Sequence, residues 1–170
     1  MQPNRTKIII NLCLSIIAFI AFAIIAVAIK TDMRLFRIVG HSMNPTLYEK
    51  NIVLTKPEKV YKRGDIIAFN KDGSTTIKRI IGIPGDTIYI DEDGHVSVND
   101  ELIDEPYVVF HQMVPSEIEF PITLGFNEYF VLGDNRQNSR DSRERTFGYV
   151  NKNDIIGKVV KSLIPFKDIK

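Results

Sequence analysis

Ser42 and Lys78 are the residues whose types and settings best suit nucleophilic chemistry. Ser42 lies two residues after Gly40 and precedes a Met-Asn-Pro-Thr turn, which predicts that its hydroxyl is displayed at a strand end. A serine hydroxyl is a weak nucleophile and needs a base to take its proton. Lys78 and Arg79 are neighbours in the alternating run Thr76–Ile81, so we expect one of these two cations to face an apolar environment. Burial can lower a lysine pKa by up to about 3–5 units, whereas arginine stays protonated.

Sites based on cysteine or histidine have less support. Cys13, the only cysteine, lies in an apolar N-terminal run, so we expect neither a thiol nucleophile nor a disulfide in the rest of the chain. The histidines at positions 41, 95 and 111 cannot complete a zinc cluster with it, and we expect no metal and no cofactor. His41 is a poor base for Ser42, because adjacent side chains in a strand point to opposite faces. A Ser-His-Asp triad using His95 or His111 stays open.

The N-terminal segment has the length of a membrane span. Residues 8–29 are 22 consecutive positions without a charge, and a helix of that length spans about 33 Å. We predict an anchor in residues 1–30. The alternative is a cleaved signal peptide, because two basic residues precede the run and Ala26-Val27-Ala28 offers a cleavage site. Its apolar core would normally be only about 7–15 residues long. Basic residues flank both ends, so charge alone does not set the orientation.

The pattern of the remaining residues, 31–170, predicts one mainly β domain, which we expect to be a partly open barrel. Short runs rich in β-branched and aromatic residues alternate with Gly, Pro, Asn and Asp turn signals. The predicted strands are Leu35–Val39, Asn51–Thr55, Asp65–Phe69, Thr75–Ile83, Thr87–Ile90, His95–Val98, Tyr129–Leu132 and Ile155–Ile164. Residues 87–103 predict a hairpin with tight turns. Residues 104–128 hold three prolines and no clean period, and predict an extended excursion.

The charge balance argues against general nucleic-acid binding. Three of the 22 basic residues and none of the 21 acidic residues lie in residues 1–30, so the β domain has a formal net charge of −2. Nucleic-acid binding of that kind depends on a basic field that neutralises phosphates. We therefore expect no nucleic-acid partner.

Four stretches of the β domain, in order and behind an anchor, resemble the conserved boxes of the type I (leader) signal peptidases, peptidase family S26. One box alone would be weak evidence, but four in order are specific. The resemblance extends over most of residues 8–160. The four stretches are Ser42–Leu47, Arg63–Phe69, Lys78–Asp86 and Gly133–Arg143.

The resemblance implies a role for several side chains. Ser42 would be the nucleophile and Lys78 the general base, a Ser-Lys variant of the catalytic triad. Ser139 would orient the lysine amine. Some members supply an oxyanion donor from a serine two residues before the nucleophile, where this chain has Gly40. The resemblance further implies an Asp141–Arg143 ion pair, with Arg79 as a nearby cation.

The resemblance also implies a substrate and a location. The enzyme would remove N-terminal signal peptides from exported preproteins, cutting after small residues at positions −1 and −3. Its partners would be preprotein signal peptides, the lipid bilayer and the secretion machinery. It would be a single-pass protein of the cell membrane with residues 1–7 cytoplasmic and the catalytic domain outside. We further expect Leu35, Phe36 and Leu47 to form an apolar rim on the membrane.

The sequence features admit two alternative functions. A self-cleaving repressor uses the same kind of dyad, but it should carry a DNA-binding helical domain and lack an anchor. A membrane-anchored β module could bind a peptide without cutting it. The presence of both Ser42 and Lys78 argues against the second reading.

Overall fold

The protein consists of a long N-terminal helix followed by two β-sheets. The computed structural model describes residues 5–111 and 116–168. Helix α1 spans Arg5–Thr31, which includes the whole of the apolar run. Its segment Lys7–Ile24 is long and apolar enough to cross a membrane, and none of that segment is buried within the protein. This part of the helix therefore keeps its apolar side chains exposed, as a segment expected to lie in lipid would.

Twelve strands follow α1 in the part of the chain that the structure describes. They are β1 (Arg34–Arg37), β2 (Ile52–Lys56), β3 (Ile66–Lys71), β4 (Ser74–Gly82), β5 (Thr87–Ile90), β6 (Val96–Val98), β7 (Glu101–Leu102), β8 (Ile122–Thr123), β9 (Glu128–Leu132), β10 (Val150–Asn151), β11 (Ile155–Ile164) and β12 (Phe166–Asp168). A 3-10 helix, Lys152–Asp154, precedes β11. The larger sheet has the order β1-β2-β11-β3-β4-β9-β10 with β12 beside β11, and the smaller sheet has the order β7-β6-β5-β8. Neither sheet closes, so the prediction of a mainly β, partly open fold is confirmed.

The predicted strands agree with the observed ones to within two residues at each end. Thr87–Ile90 and Ile155–Ile164 have the predicted bounds. The first strand, by contrast, ends at Arg37, and Val39 lies outside it with 85% of its surface exposed. Strands β7, β8, β10 and β12 were missed. Each has only two or three residues, too few to display an alternating pattern.

The hairpin prediction is confirmed, and the excursion prediction needs one correction. Strands β5 and β6 pair antiparallel, and β7 continues the meander. The turn between β6 and β7 consists of Asn99 and Asp100, both with positive φ, as a two-residue type I′ turn requires. Within the predicted excursion, β8 pairs with β5, because residues 122–123 return to the open edge of the smaller sheet. Residues 112–115 of the excursion lie outside the described residues.

Strand β4 is the central element for the site. It pairs with β3 on one side and β9 on the other, and residues 78–82 are all buried. Lys78 and Arg79 are both buried, with exposed fractions of 4% and 3%, so the expectation of a less polar environment applies to more than the one cation that alternation predicted. Both faces of the strand are covered, so strand alternation does not send either side chain to solvent.

The expected apolar rim is also corrected. Leu47 is fully buried and packs in a core cluster with Met43 and Val53, and Phe36 is half-buried against that cluster. Only Leu35, with 60% of its surface exposed, is available for contact outside the domain. The turn after Ser42 folds inward, which places Leu47 in the core.

Candidate active site

The structure brings Ser42 and Lys78 into contact. Lys78 lies on β4 opposite Ile67 of β3, and its Nζ is 2.6 Å from Ser42 Oγ. Ser42 lies in the turn that follows β1, beside Gly40, whose φ of +81° is in the left-handed region. That conformation is accessible to glycine without steric cost. Two positions 36 residues apart in sequence are thus joined by the packing of a turn onto a central strand.

Burial lowers the pKa of Lys78. Its pKa falls from the ordinary 10.5 to about 8, chiefly because burial removes water from the ammonium. Asp141 acts in the opposite direction and Arg143 in the same direction as burial. Desolvation is the largest of these effects, and the net shift of the pKa is therefore downward. The amine is thereby brought into the range in which a general base operates near neutral pH.

We expect the rate of peptide cleavage to rise with pH through the pKa of Lys78. A pKa of about 8 leaves about one-tenth of the amine neutral at pH 7 and about nine-tenths at pH 9. The value of kcat/KM should therefore increase about tenfold between these pH values, with an acidic limb centred near 8. A pH profile on a peptide that does not titrate in this range measures it. A limb centred below pH 7 would indicate a different base.

The backbone of Ser42 is held by the loop that follows β9. The Asn135 N–H donates to the Ser42 carbonyl oxygen at 3.0 Å, and Asn135 Nδ2 donates to the His41 carbonyl oxygen at 3.2 Å. Gly133 packs so closely that a Cβ there would lie 2.5 Å from the Ser42 carbonyl oxygen. Sequence reasoning included this loop in a conserved box but assigned no role to Gly133 or Asn135. Both residues hold the main chain at Ser42 in place.

The Asp141–Arg143 ion pair is present and buried. Arg143 Nε is 2.7 Å from Asp141 Oδ1, and Arg143 Nη2 is 2.9 Å from Asp141 Oδ2. Asp141 also accepts from the Gly133 N–H at 3.0 Å, and Arg143 donates to the Ser139 carbonyl oxygen at 3.3 Å. The pair therefore braces the two ends of the loop that holds Ser42.

Ser139 is close to the dyad but does not bond to it in this arrangement. It contacts Gly133, on the side that also faces the Ser42 carbonyl. Its hydroxyl oxygen is buried and has no hydrogen-bond partner among the described residues. Within the described part of the chain, Lys78 Nζ has Ser42 Oγ as its hydrogen-bond partner. The expected orienting bond from Ser139 to Lys78 is not observed.

Arg79 and Arg136 form a second, deeper group of ion pairs. Arg79 donates two hydrogen bonds to Asp134, of 2.9 and 2.8 Å, and its guanidinium lies 3.9 Å above the Tyr107 ring. Arg136 donates two hydrogen bonds to Glu105, and the Tyr107 hydroxyl donates to the same carboxylate at 2.9 Å. The excursion thus clamps the loop after β9. The sequence assigned no role to Glu105 or Tyr107, because a proline-containing segment carries no local pattern that indicates a contact 31 residues away.

The histidine alternatives receive no support. His95 stacks on His111, with ring centroids 5.1 Å apart, and its Nδ1 lies 3.3 Å from an Asp91 carboxylate oxygen. Among the described residues Ser42 Oγ has Lys78 as its hydrogen-bond partner. In that same part of the chain, no cluster of three or more His, Cys, Asp or Glu residues could hold a metal ion.

Two cavities open on either side of the dyad. The strand cavity, of about 180 Å³, runs between residues 36–39 and residues 75–77 and has several apolar walls. The charged cavity, of about 350 Å³, lies toward Gly40, His41 and the turn between β3 and β4. Both cavities include Ser42 and Lys78 in their walls. A chain that passes the dyad would therefore contact both.

Known proteins resemble this chain over nearly its full length. The family model described as signal peptidase, peptidase S26, matches residues 9–164. The chain belongs to the signal peptidase S26 family. Signal peptidase I U of Bacillus subtilis (strain 168) is 35% identical over an alignment that covers 99% of this chain and 94% of the relative. Signal peptidase I of Bacillus amyloliquefaciens is 32% identical, with 90% and 88% covered. A crystal structure of a signal peptidase I from Enterococcus faecalis V583 is 30% identical, with a TM-score of 0.48 over 59% of this chain and 97% of the other.

Membership of the family confirms the resemblance that the four boxes predicted. As a member of the signal peptidase I group, the chain is a serine endopeptidase that removes signal peptides. Its substrates are preprotein signal peptides. The apolar helix α1 agrees with a membrane-anchored enzyme. Family membership therefore rejects the two alternative hypotheses, a self-cleaving repressor and a binding module without activity.

Proposed function

We propose that this signal peptidase cuts preproteins with a Ser42–Lys78 dyad. The observation that carries the proposal is the 2.6 Å approach of a buried lysine amine, with a lowered pKa, to the serine hydroxyl. The neutral amine takes the proton of Ser42, and Oγ bonds to the carbonyl carbon of the scissile bond. The resulting ammonium then protonates the leaving amine, and the acyl-enzyme is hydrolysed by water with the amine again acting as base.

The Ser42 backbone N–H is the first donor for the developing oxyanion. It donates to no acceptor among the described residues, so it is available when the carbonyl oxygen acquires negative charge. Each oxyanion donor contributes roughly 2.7–4 kcal/mol. Gly40 cannot supply a hydroxyl, and a second donor therefore has to come from a main-chain N–H of the same turn. Asp141, Arg143 and Ser139 hold this turn in place rather than react.

The strand cavity is the proposed site for the residues before the cut. Its walls come from Phe36–Val39, at and just beyond the end of β1, and from Thr75–Ile77 of β4, and we place an extended peptide between them as an added strand. At about 180 Å³ the cavity has room for small side chains. Small residues at −1 and −3 follow from this, because alternate side chains of an extended chain point to the same face.

Substrates with larger residues before the cut should be poor. Replacing Ala by Leu at position −1 or −3 of a preprotein adds three carbons that have to fit against the walls of the strand cavity. We expect kcat/KM to fall by about 5- to 150-fold, since overpacking costs roughly 1–3 kcal/mol. The same change at −2 is the matched control and should have little effect. Equal losses at all three positions would contradict the assignment of the cavity.

We place the catalytic domain on the outer face of the cell membrane, with α1 as a single span. A signal peptide is itself lodged in the bilayer, so an anchored protease meets it at a raised effective concentration. Leu35 of β1, Ile164 of β11 and Phe166 of β12 belong to the same sheet, and each has 59% or more of its surface exposed. They are the better candidates for the apolar rim. Contact with the secretion machinery would follow from delivery of preproteins to this face.

The deciding experiment is cleavage of a purified preprotein by the full chain in detergent micelles. Wild type should release a fragment whose new N-terminus follows the −1 residue, and Ser42→Ala should release none. A Ser42→Ala enzyme that cuts at the wild-type rate would contradict the proposed dyad. Protection of the β domain from protease added outside intact cells would contradict the proposed topology.

A further inference from the structure

We infer that the charged cavity binds the first residues after the scissile bond and selects an acidic side chain among them. The inference rests on the proposed function, because it takes Ser42 as the nucleophile. It concerns the other half of the substrate, namely the beginning of the mature protein. Lys71 is the residue that we expect to make the selection.

The charged cavity shares three wall residues with the strand cavity, and these define its position relative to Ser42. Ser42, Thr76 and Lys78 line both, and from there the two cavities extend to different parts of the chain. The strand cavity follows residues 36–39, whereas the charged cavity continues past His41 to the turn between β3 and β4. A peptide whose −1 and −3 residues fill the first must therefore continue into the second.

The walls of the charged cavity carry an excess of positive charge. Apart from the dyad lysine and His41, the charged side chains of its lining are Lys71, Asp72 and Arg140. Two cations thus face one carboxylate. The arginine is already engaged, since it lies 3.1 Å from Glu144 and 3.7 Å from Asp72. It is shared between these two carboxylates, of which Asp72 alone lines the cavity.

Lys71 is the cation with hydrogen-bonding capacity to spare. An ammonium has three donors, and among the described residues this one has a single acceptor, the Tyr149 carbonyl oxygen at 3.4 Å. Its Nζ also lies 5.2 Å from the centre of the Phe147 ring, which fixes the side chain beside the cavity. A substrate carboxylate would supply a stronger partner than the long bond to the carbonyl.

The test is a set of peptide substrates that differ in charge at one position only. Each carries Asp, Asn or Lys at the first, second or third residue after the cut, and the full-length enzyme in neutral detergent is assayed for kcat/KM. We expect wild type to prefer Asp over Lys by about two- to fivefold at one or more of these positions, as for a partly exposed ion pair. The preference should shrink in high salt, which screens exposed charges.

Lys71→Glu should reverse the order of the Asp and Lys substrates at the same position. The ratio of the two substrates cancels any general loss of activity in the variant. Lys59→Glu is the matched control, because it makes the same charge change at an exposed lysine that lines neither cavity, and it should keep the wild-type ratio. Lys71→Gln should give a ratio near one.

Three results would overturn the inference. They are equal rates of cutting of all the peptides by wild type, an unchanged ratio in Lys71→Glu, and a shift of the ratio in Lys59→Glu as large as that in Lys71→Glu. In each case the cuts would still occur, so the proposed function would stand. Failure of wild type to cut any peptide, or equal cutting by Ser42→Ala, would instead overturn the proposed function and this inference with it.

Discussion

Replacing Lys78 by either arginine or methionine should abolish preprotein cleavage, with kcat/KM reduced by a factor of about 10⁴ or more. Losses of this size follow the removal of a nucleophile or its base from a serine protease. Arginine keeps the positive charge beside Ser42 but cannot give up its proton. Methionine has a similar length and no charge. If the lysine acts as a base, the two variants should be equally inactive, whereas a purely electrostatic role would spare Lys78→Arg.

The double variant Ser42→Ala/Lys78→Met provides the control for this prediction. Two residues that act in one step should show no further loss when both are removed. Unfolding is excluded by measuring stability, because Lys78→Met replaces a buried amine by an apolar group of similar size. That exchange removes a desolvation cost and should leave the free energy of unfolding unchanged or raised. A stable Lys78→Met enzyme that retained more than a hundredth of wild-type activity would contradict the assignment of Lys78 as base.

Truncating Glu105 should be the most destabilising change at a position outside the dyad. The side chains of Glu105 and Arg136 are 1% and 0% exposed, so Glu105→Ala leaves a buried guanidinium without its counter-charge. Such a loss costs about 3–5 kcal/mol, a large part of the roughly 5–15 kcal/mol that stabilises a domain. Pulse proteolysis of the full chain in detergent measures the change.

Glu58→Ala is the matched control for the buried pair. Glu58 pairs with Lys56 at 3.2 Å, but both side chains are more than one-third exposed, and we expect a loss of about 0.2–1 kcal/mol. The double variant Glu105→Leu/Arg136→Met should be more stable than Glu105→Ala alone, because neither charge then remains buried. A Glu105→Ala protein as stable as Glu58→Ala would show that water reaches Arg136 and that the pair is not a clamp.

Loss of the Glu105–Arg136 pair should also reach the active site. Arg136 Nε donates to the Gly133 carbonyl oxygen at 3.2 Å, and Gly133 packs on the Ser42 main chain. The excursion therefore supports the nucleophile through one arginine and one glycine. The fraction of Glu105→Ala protein that remains folded should have a lower kcat. Its activity should still rise with pH around a midpoint near 8, because that midpoint is set by the pKa of Lys78. This separates a positioning role from a change in the base.

Several features could be predicted because they depend on local pattern. The helix follows from a long run without charge, and the eight longer strands follow from short apolar runs between turn residues. The turn at Asn99 and Asp100 follows from residue type alone, since both residues adopt positive φ. Motif order drew attention to Ser42 and Lys78, and in the structure their side chains are in contact.

Other features could not be predicted because they depend on contacts between distant parts of the chain. The sequence by itself determined the apolar helix, the alternation of the longer strands, and the presence of a serine and a lysine able to form a dyad. Only the tertiary structure decided that both Lys78 and Arg79 are buried, that Leu47 is in the core, and that Glu105 meets Arg136. The physical reason is that the alternation along a strand fixes the direction in which a side chain leaves the backbone. Its desolvation, and hence the pKa of Lys78, depends on which other elements pack over it.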